Sequence, residues 1–421
     1  MTDRKEGTGN RIPWHIIVIA LLSLGALCVY SILFGWRNFG PMIGNAVTPA
    51  AQSPTLQVPT ATLMPTSISI QTYTPLPSTE TPTKILSISP TTLSLKSTTT
   101  PTPPGLKVIT IAGTTNKKHV FTVPNYTLFD ATNWMSIAIG PFPLGTTGRA
   151  VEIYGTPSNA SGRSNITWRG GVIVGSIPKS WNWRKTHEFG GGGIFIHNDG
   201  SIEWQFIRIH NIEDGVKPRE ALAYSNTGSW ILRNCYFTAI RDDAIENDRF
   251  EPGTVQDCLF DGVYTFISEQ DETVGSNTPI GPNEDNTIYI NRVYARLYGT
   301  NDAEGPGKWF KLPGDVPHHK LAVSDSVFAV GSVPRLGWSD ETIPPEVSWM
   351  GNNNFILWLG SPGTYGGSKP EGVTFLEGTA AQEKWISVRN KWLTDHGLPS
   401  QNFSADFNPH EAPVMQIPVD P

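Results

Sequence analysis

A chain of 421 residues with a formal net charge of -6, only 16% charged residues and both signs interspersed lacks the clustered Lys and Arg that a phosphate-binding surface needs. Nucleic acid is thereby excluded as an expected partner. Its 41 Gly and 35 Pro favour turns and strands over helices, and three cysteines (Cys28, Cys235, Cys258) cannot supply a disulfide framework, so a β-rich protein stabilised by burial is expected.

Residues 1–13 carry Arg4, Lys5 and Arg11 and precede an uncharged run, IIVIALLSLGALCVYSILFGW from Ile16 to Trp36. Such a run is long enough to cross a hydrocarbon layer of roughly 30 Å as a helix. A transmembrane signal anchor is therefore predicted over 14–36. Arg37 alone follows closely, so the positive-inside bias puts residues 1–13 in the cytoplasm and the rest outside a single-pass membrane protein. Cleavage near Ala26 as a signal peptide, or lipidation at Cys28, are the alternatives. Residues 37–105, dominated by Thr, Pro and Ser, read as a disordered linker, which in extended form could span on the order of 100 Å.

From 106 to 378 the chain repeats a pattern of alternating apolar positions. Trp230 to Phe237 and Thr254 to Phe260 align, with Ile240 and Val263 following at the same offset, and Ile207, Ile209 and Ile212 occupy the corresponding places one copy earlier. Taking Gly170, Phe206, Asn234, Asp257, Arg292, Asp325 and Asn352 as equivalent gives intervals of 36, 28, 23, 35, 33 and 27 residues. Unequal intervals suit a parallel solenoid, in which only the strand segments must keep register while loops vary. The alignment places Cys235 and Cys258 at one inward position of consecutive coils, as two reduced, buried thiols. In the last segment, 379–421, Trp385, Val388 and Trp392 fall at helical spacing, predicting an amphipathic helix over the end or side of the stack.

Segments such as SNITWRGGVIVG, RNCYFTAIRDDAIEND and QDCLFDGVYTF resemble the pectin-lyase-like right-handed parallel β-helix superfamily over Val108 to Leu376. The resemblance implies an all-β solenoid and a surface that contacts polysaccharide.

Glu213 and Asp214 follow one strand, and Asp242, Asp243, Glu246 and Asp248 follow the next. Stacking sets Asp214 beside Asp242 and Glu246 beside Glu269, so several carboxylates share one outer face with neighbours about 4.8 Å apart. Crowded carboxylates must share a proton, bind a metal or pair with a base. A protonated and an ionised carboxyl together can hydrolyse a glycosidic bond, whereas Ca²⁺ on the same groups would suit a uronate lyase. Neighbours such as Arg241 could instead pair the acids as solvated corners. The Asp242-Asp243 pair one coil after Asp214 resembles the polygalacturonase-type glycoside hydrolases, and Trp309-Phe310-Lys311 stands where those carry Arg-Ile-Lys. Their Asn-Thr-Asp is replaced here by Ile212-Glu213-Asp214, and their Gly-His-Gly has no counterpart. The resemblance makes Asp214, Asp242, Asp243, Glu246 and Lys311 the candidate catalytic residues.

The insertion PKSWNWRKTHEFGGGG, Pro178 to Gly193, offers Trp181, Trp183, Arg184 and His187 to an acidic sugar, with Arg241 and Glu269 as further contacts. His318-His319 reads as a loop, since adjacent strand residues point oppositely and share no metal. A cell-surface glycoside hydrolase is thus expected, with a non-catalytic carbohydrate-binding or display module and a Ca²⁺-dependent uronate lyase as alternatives.

Overall fold

The computed structural model describes residues 105–399, apart from 142–147, 156–163, 199, 219–227, 249, 270–285, 302–303, 313–318, 336 and 339–346. The expected anchor at 14–36 and nearly all of the linker lie outside them, as does His318. Among the described residues no helix is long and apolar enough to cross a membrane. The longest of these, Gly378–Asp395, carries the charged residues Glu383, Lys384, Arg389 and Lys391. On that finding the expected membrane helix, the membrane as a partner and the single-pass location have no support among the described residues and are not carried further.

The coils up to Lys311 run through three strand segments hydrogen-bonded in parallel to neighbouring coils, and those built on Lys320–Ser324 with Val327–Val330 and Val347–Met350 with Phe355–Trp358 show the first two among the described residues. One coil comprises Ser229–Arg233, Tyr236–Thr238 and Asp243–Glu246, and the next comprises Gly253–Val263 and Thr265–Ser268. Trp230 lies opposite Gly253, Tyr236 opposite Leu259 and Ile245 opposite Ile267. The result is an all-parallel, solenoid-like stack.

What turns the chain between the first two segments is a left-handed residue. Gly170, Phe206, Asn234, Asp257, Arg292 and Asp325 all have positive φ, from 49 to 74°. These are the positions aligned in the sequence. A non-glycine residue there costs about 1–2 kcal/mol, yet the bend keeps its ladder bond: Asn234 N–H donates to the Gln256 carbonyl at 3.1 Å and Phe206 N–H to that of Arg233 at 3.2 Å. In the last copy the left-handed residue is Gly351, one before the expected Asn352, because Ser324 lies opposite Met350. A second left-handed corner, at Asn211, Ala239 and Gly262, leads into the third segment.

Alternation along the strands fills the interior with an apolar column of Phe129, Trp168, Trp204, Leu232, Val255 and Ile290, all fully buried. Cys235 and Cys258 extend a neighbouring column as free, buried thiols. Among the described residues two helices lie outside the coils. Helix α1 (Trp183–Phe189) sits in the long insertion, capped by Asn182 Oδ1, which accepts from Lys185 N–H at 2.9 Å. Helix α2 (Gly378–Asp395) packs Ala381, Trp385, Trp392 and Leu393 onto Tyr236, Leu259, Val327 and Leu357, the outward residues of the second segment. It covers a side of the stack, not its open end.

Candidate functional site

The site forms where the second corner meets the third segment. Thr238 lies opposite His210, 28 residues back, whereas Ile245 lies opposite Val216, 29 back, so one extra residue enters between the two coils. This irregularity places two successive acids, Asp242 and Asp243, against one, Asp214. Asp242 N–H donates to the Glu213 carbonyl at 3.0 Å, Asp243 N–H to Asp214 Oδ1 at 3.2 Å, and oxygens of Asp214, Asp242 and Asp243 lie within 4.8 Å of one another.

Helix α1 closes over this group. Trp183 Nε1–H donates to Asp242 Oδ1 at 2.7 Å, and one helical turn on, His187 Nδ1 lies 2.9 Å from Asp242 Oδ2 and 3.6 Å from Glu213 Oε1. The two rings stack 5.1 Å apart. Glu304 fixes the helix from beneath, accepting the Trp183 backbone N–H at 2.8 Å and pairing with Arg335 at 3.1 Å. The Arg335 guanidinium in turn lies 4.7 Å from the Trp183 ring centre.

Crowding shifts the acids. Burial, reinforced by Asp242, pushes Glu213 up to about 8, with His187 opposing. Burial and the carboxylates of Glu246, Glu213, Asp242 and Asp243 hold Asp214 well above the usual range. Asp242 is raised by burial and by Asp243, against the opposing His187, Lys311 and Trp183. His187 is raised by its hydrogen bond to Asp242. Lys311 Nζ pairs with Asp243 Oδ2 at 3.2 Å, and although burial opposes its charge, Asp243 and Asp242 together raise it.

Beside Asp242 opens a cavity of about 310 Å³ lined by Trp183, Asp242, Tyr264, Thr265, Lys308, Lys311 and Arg335, together with Gly307, Pro334 and Gly337. Its floor steps from coil to coil: Thr265 N–H donates to the Asp242 carbonyl, Gly307 N–H to that of Tyr264 and Arg335 N–H to that of Pro306. The cavity therefore runs across coils, along the direction of stacking.

The candidate residues divide. Asp214, Asp242, Asp243, Lys311, Trp183 and His187 come together here. Glu246 stands a little apart, 3.1 Å from Lys217 Nζ, which also meets Asp248 at 3.0 Å. Arg241 points away from the acids, its Nε donating to Asn211 Oδ1 at 3.1 Å and its Nη1 to the Thr300 carbonyl. Arg184 pairs with Glu188 at the surface, and Trp181 packs against Phe189 under Lys185. Glu269 is not beside Glu246. Glu246 lies opposite Ser268, and with strand alternation the next residue turns inward, where Glu269 is fully buried against His319 Nδ1 at 2.6 Å and Asn247 Nδ2 at 2.7 Å. Sequence reasoning missed Glu213 as a participant, although it adjoins Asp214. It also missed Tyr264, Glu304, Lys308 and Arg335, which converge from separate coils and leave no local signal.

Fold and site together define a class: a solenoid-like, parallel-stranded protein with clustered buried acids and a histidine, an arrangement consistent with a carbohydrate-active fold. No known family, curated protein or solved structure matches the chain.

Proposed function

We propose that the protein is a glycoside hydrolase of the pectin-lyase-like kind acting on an acidic polysaccharide laid in the cavity beside Asp242. The observation that carries this reading is the pairing of Glu213, held protonated near neutrality, with Asp242, whose charge is compensated by His187 and the Trp183 N–H. Glu213 then donates a proton to the leaving glycosidic oxygen while Asp242 either takes a proton from the water that attacks the anomeric carbon or attacks that carbon itself, forming a glycosyl ester that water then cleaves. Lys308, Lys311 and Arg335 in the cavity wall favour an anionic chain. A reducing-sugar assay of the chain against a panel of uronate-containing and neutral polysaccharides tests it. New reducing ends without absorbance from unsaturated uronate support hydrolysis. Unsaturated product would indicate a lyase, and binding without cleavage a carbohydrate-binding module.

A further inference from the structure

His187 Nδ1, Glu213 Oε1 and Asp242 Oδ2 converge in a way that a proton alone does not require. The nitrogen lies 2.9 Å from the aspartate oxygen and 3.6 Å from the glutamate oxygen, and the three residues offer atoms all within 4.8 Å of one another. Ligand atoms at bond lengths of about 2.0–2.2 Å around one ion stand about 3 Å apart at right angles and about 3.4 Å apart in a tetrahedron. The first two edges match those spacings. The geometry points to a site for one divalent transition-metal ion, of the Zn²⁺ or Co²⁺ kind, held by His187, Glu213 and Asp242.

Two further observations favour a cation at this place. Trp183 Nε1–H holds Asp242 Oδ1 at 2.7 Å, which leaves Oδ2 turned to the histidine, as the outer partner of a ligating carboxylate does. Next to it, Asp243 is 3% exposed, offers an oxygen within 4.8 Å of those of Asp214 and Asp242, and has an Oδ1 with no hydrogen-bond partner among the described residues. A buried carboxylate oxygen left without a donor is costly unless positive charge lies near it, and Lys311 Nζ, 3.2 Å from Oδ2, is a single charge beside the four carboxyls of Glu213, Asp214, Asp242 and Asp243. An imidazole among the ligands selects a borderline ion over Ca²⁺, which takes six to eight oxygens at longer distances.

The inference goes beyond the hydrolytic reading and stands without it, because binding is measured with no substrate present. The full chain, stripped with a chelator, is titrated with Co²⁺ while visible absorption is followed, and with Zn²⁺, Mn²⁺ and Ca²⁺ by calorimetry. One Co²⁺ or Zn²⁺ per chain is expected, with Ca²⁺ weaker. Because the His187 side chain is 59% exposed, His187→Ala should fold as the parent and bind at least about tenfold more weakly. Trp183→Phe should weaken binding by about 10–100-fold while keeping all three ligands. No stoichiometric binding, unchanged affinity in His187→Ala, or a preference for Ca²⁺ would overturn the site. An ion seated there engages Glu213 and Asp242, so it should also inhibit polysaccharide cleavage. Binding without inhibition would count against the hydrolytic roles of those two residues and leave the metal site standing.

Discussion

His187 and Asp242 are 55 residues apart in the chain and 2.9 Å apart in space, so a helix from an insertion closes directly on a carboxylate of the coil wall. Among the described residues, Asp242 is the one acid that touches both Trp183 and His187 and lines the cavity. Asp242→Asn should therefore lower kcat/KM by about 10²–10⁴ on any polysaccharide the chain cleaves, with the circular dichroism spectrum unchanged. Activity within a fewfold of the parent would remove Asp242 from the chemistry.

The protonation of Glu213 sets a pH dependence in both activity and stability. A proton donor must carry its proton, so cleavage should decline as pH rises through about 8, the value to which burial and Asp242 push Glu213. Its folded value lies above the ordinary 4.5, so the folded state holds this proton more tightly than the unfolded chain does. The associated stability is complete below the ordinary value and is lost as pH rises towards about 8. Asp214, also raised, acts in the same direction. Urea midpoints should fall between about pH 5 and about pH 8, and the slope should flatten in Glu213→Gln.

Asp261 lies between two guanidinium groups, Oδ1 at 2.6 Å from Arg296 Nε and Oδ2 at 2.5 Å from Arg389 Nε, with all three side chains about 1% exposed. Burial disfavours its charge, but the two arginines outweigh burial and hold it below the usual 3.8. Its stabilisation is therefore present above that pH and lost as pH falls through the folded value. Asp261→Ala would leave two buried cations facing each other and should cost about 3–5 kcal/mol in urea unfolding. Arg389→Met should cost less, because Asp261 keeps Arg296. No measurable cost for Arg389→Met would mean that α2 is anchored by its tryptophans alone.

Cys235 and Cys258 are adjacent in the stack, with Cys235 N–H donating to Cys258 Sγ at 3.4 Å. Burial raises the Cys258 thiol well above its usual value, which keeps it protonated and unreactive. Neither should react with a thiol reagent in the native protein, and both should react on unfolding. Fast native labelling of either would contradict the coil register.

The coils were legible because each repeats a physical demand: inward apolar residues in alternation and a left-handed residue at the bend. Asn234, Asp257 and Asp325 are residue types that tolerate that bend, whereas Phe206 and Arg292 adopt it without local preference and were placed by register alone. The final copy slipped by one because Gly351, suited to positive φ, precedes the Asn352 that alignment favoured. A similar one-residue error put Glu269 outside, where the strand's alternation turns it inward. The acids at Asp214, Asp242 and Asp243 were readable as a cluster since they lie on consecutive coils. The partners that shape the cavity were not. Glu304 and Arg335 reach Trp183 from later coils, and no pattern within their own segments marks them.

The floor of the cavity rises by one hydrogen-bonded step per coil, from Asp242 to Thr265 to Gly307 and on to Arg335. Parallel strands fix that step at about 4.8 Å, so the wall acts as a ruler whose graduations are set by the backbone and not by side chains. A ligand built of repeating units meets a new set of side chains at each graduation. Inserting one whole coil between Thr265 and Gly307 would lengthen the cavity by a single step and leave the spacing on either side untouched, whereas inserting a single residue within a strand would slide one graduation against the next.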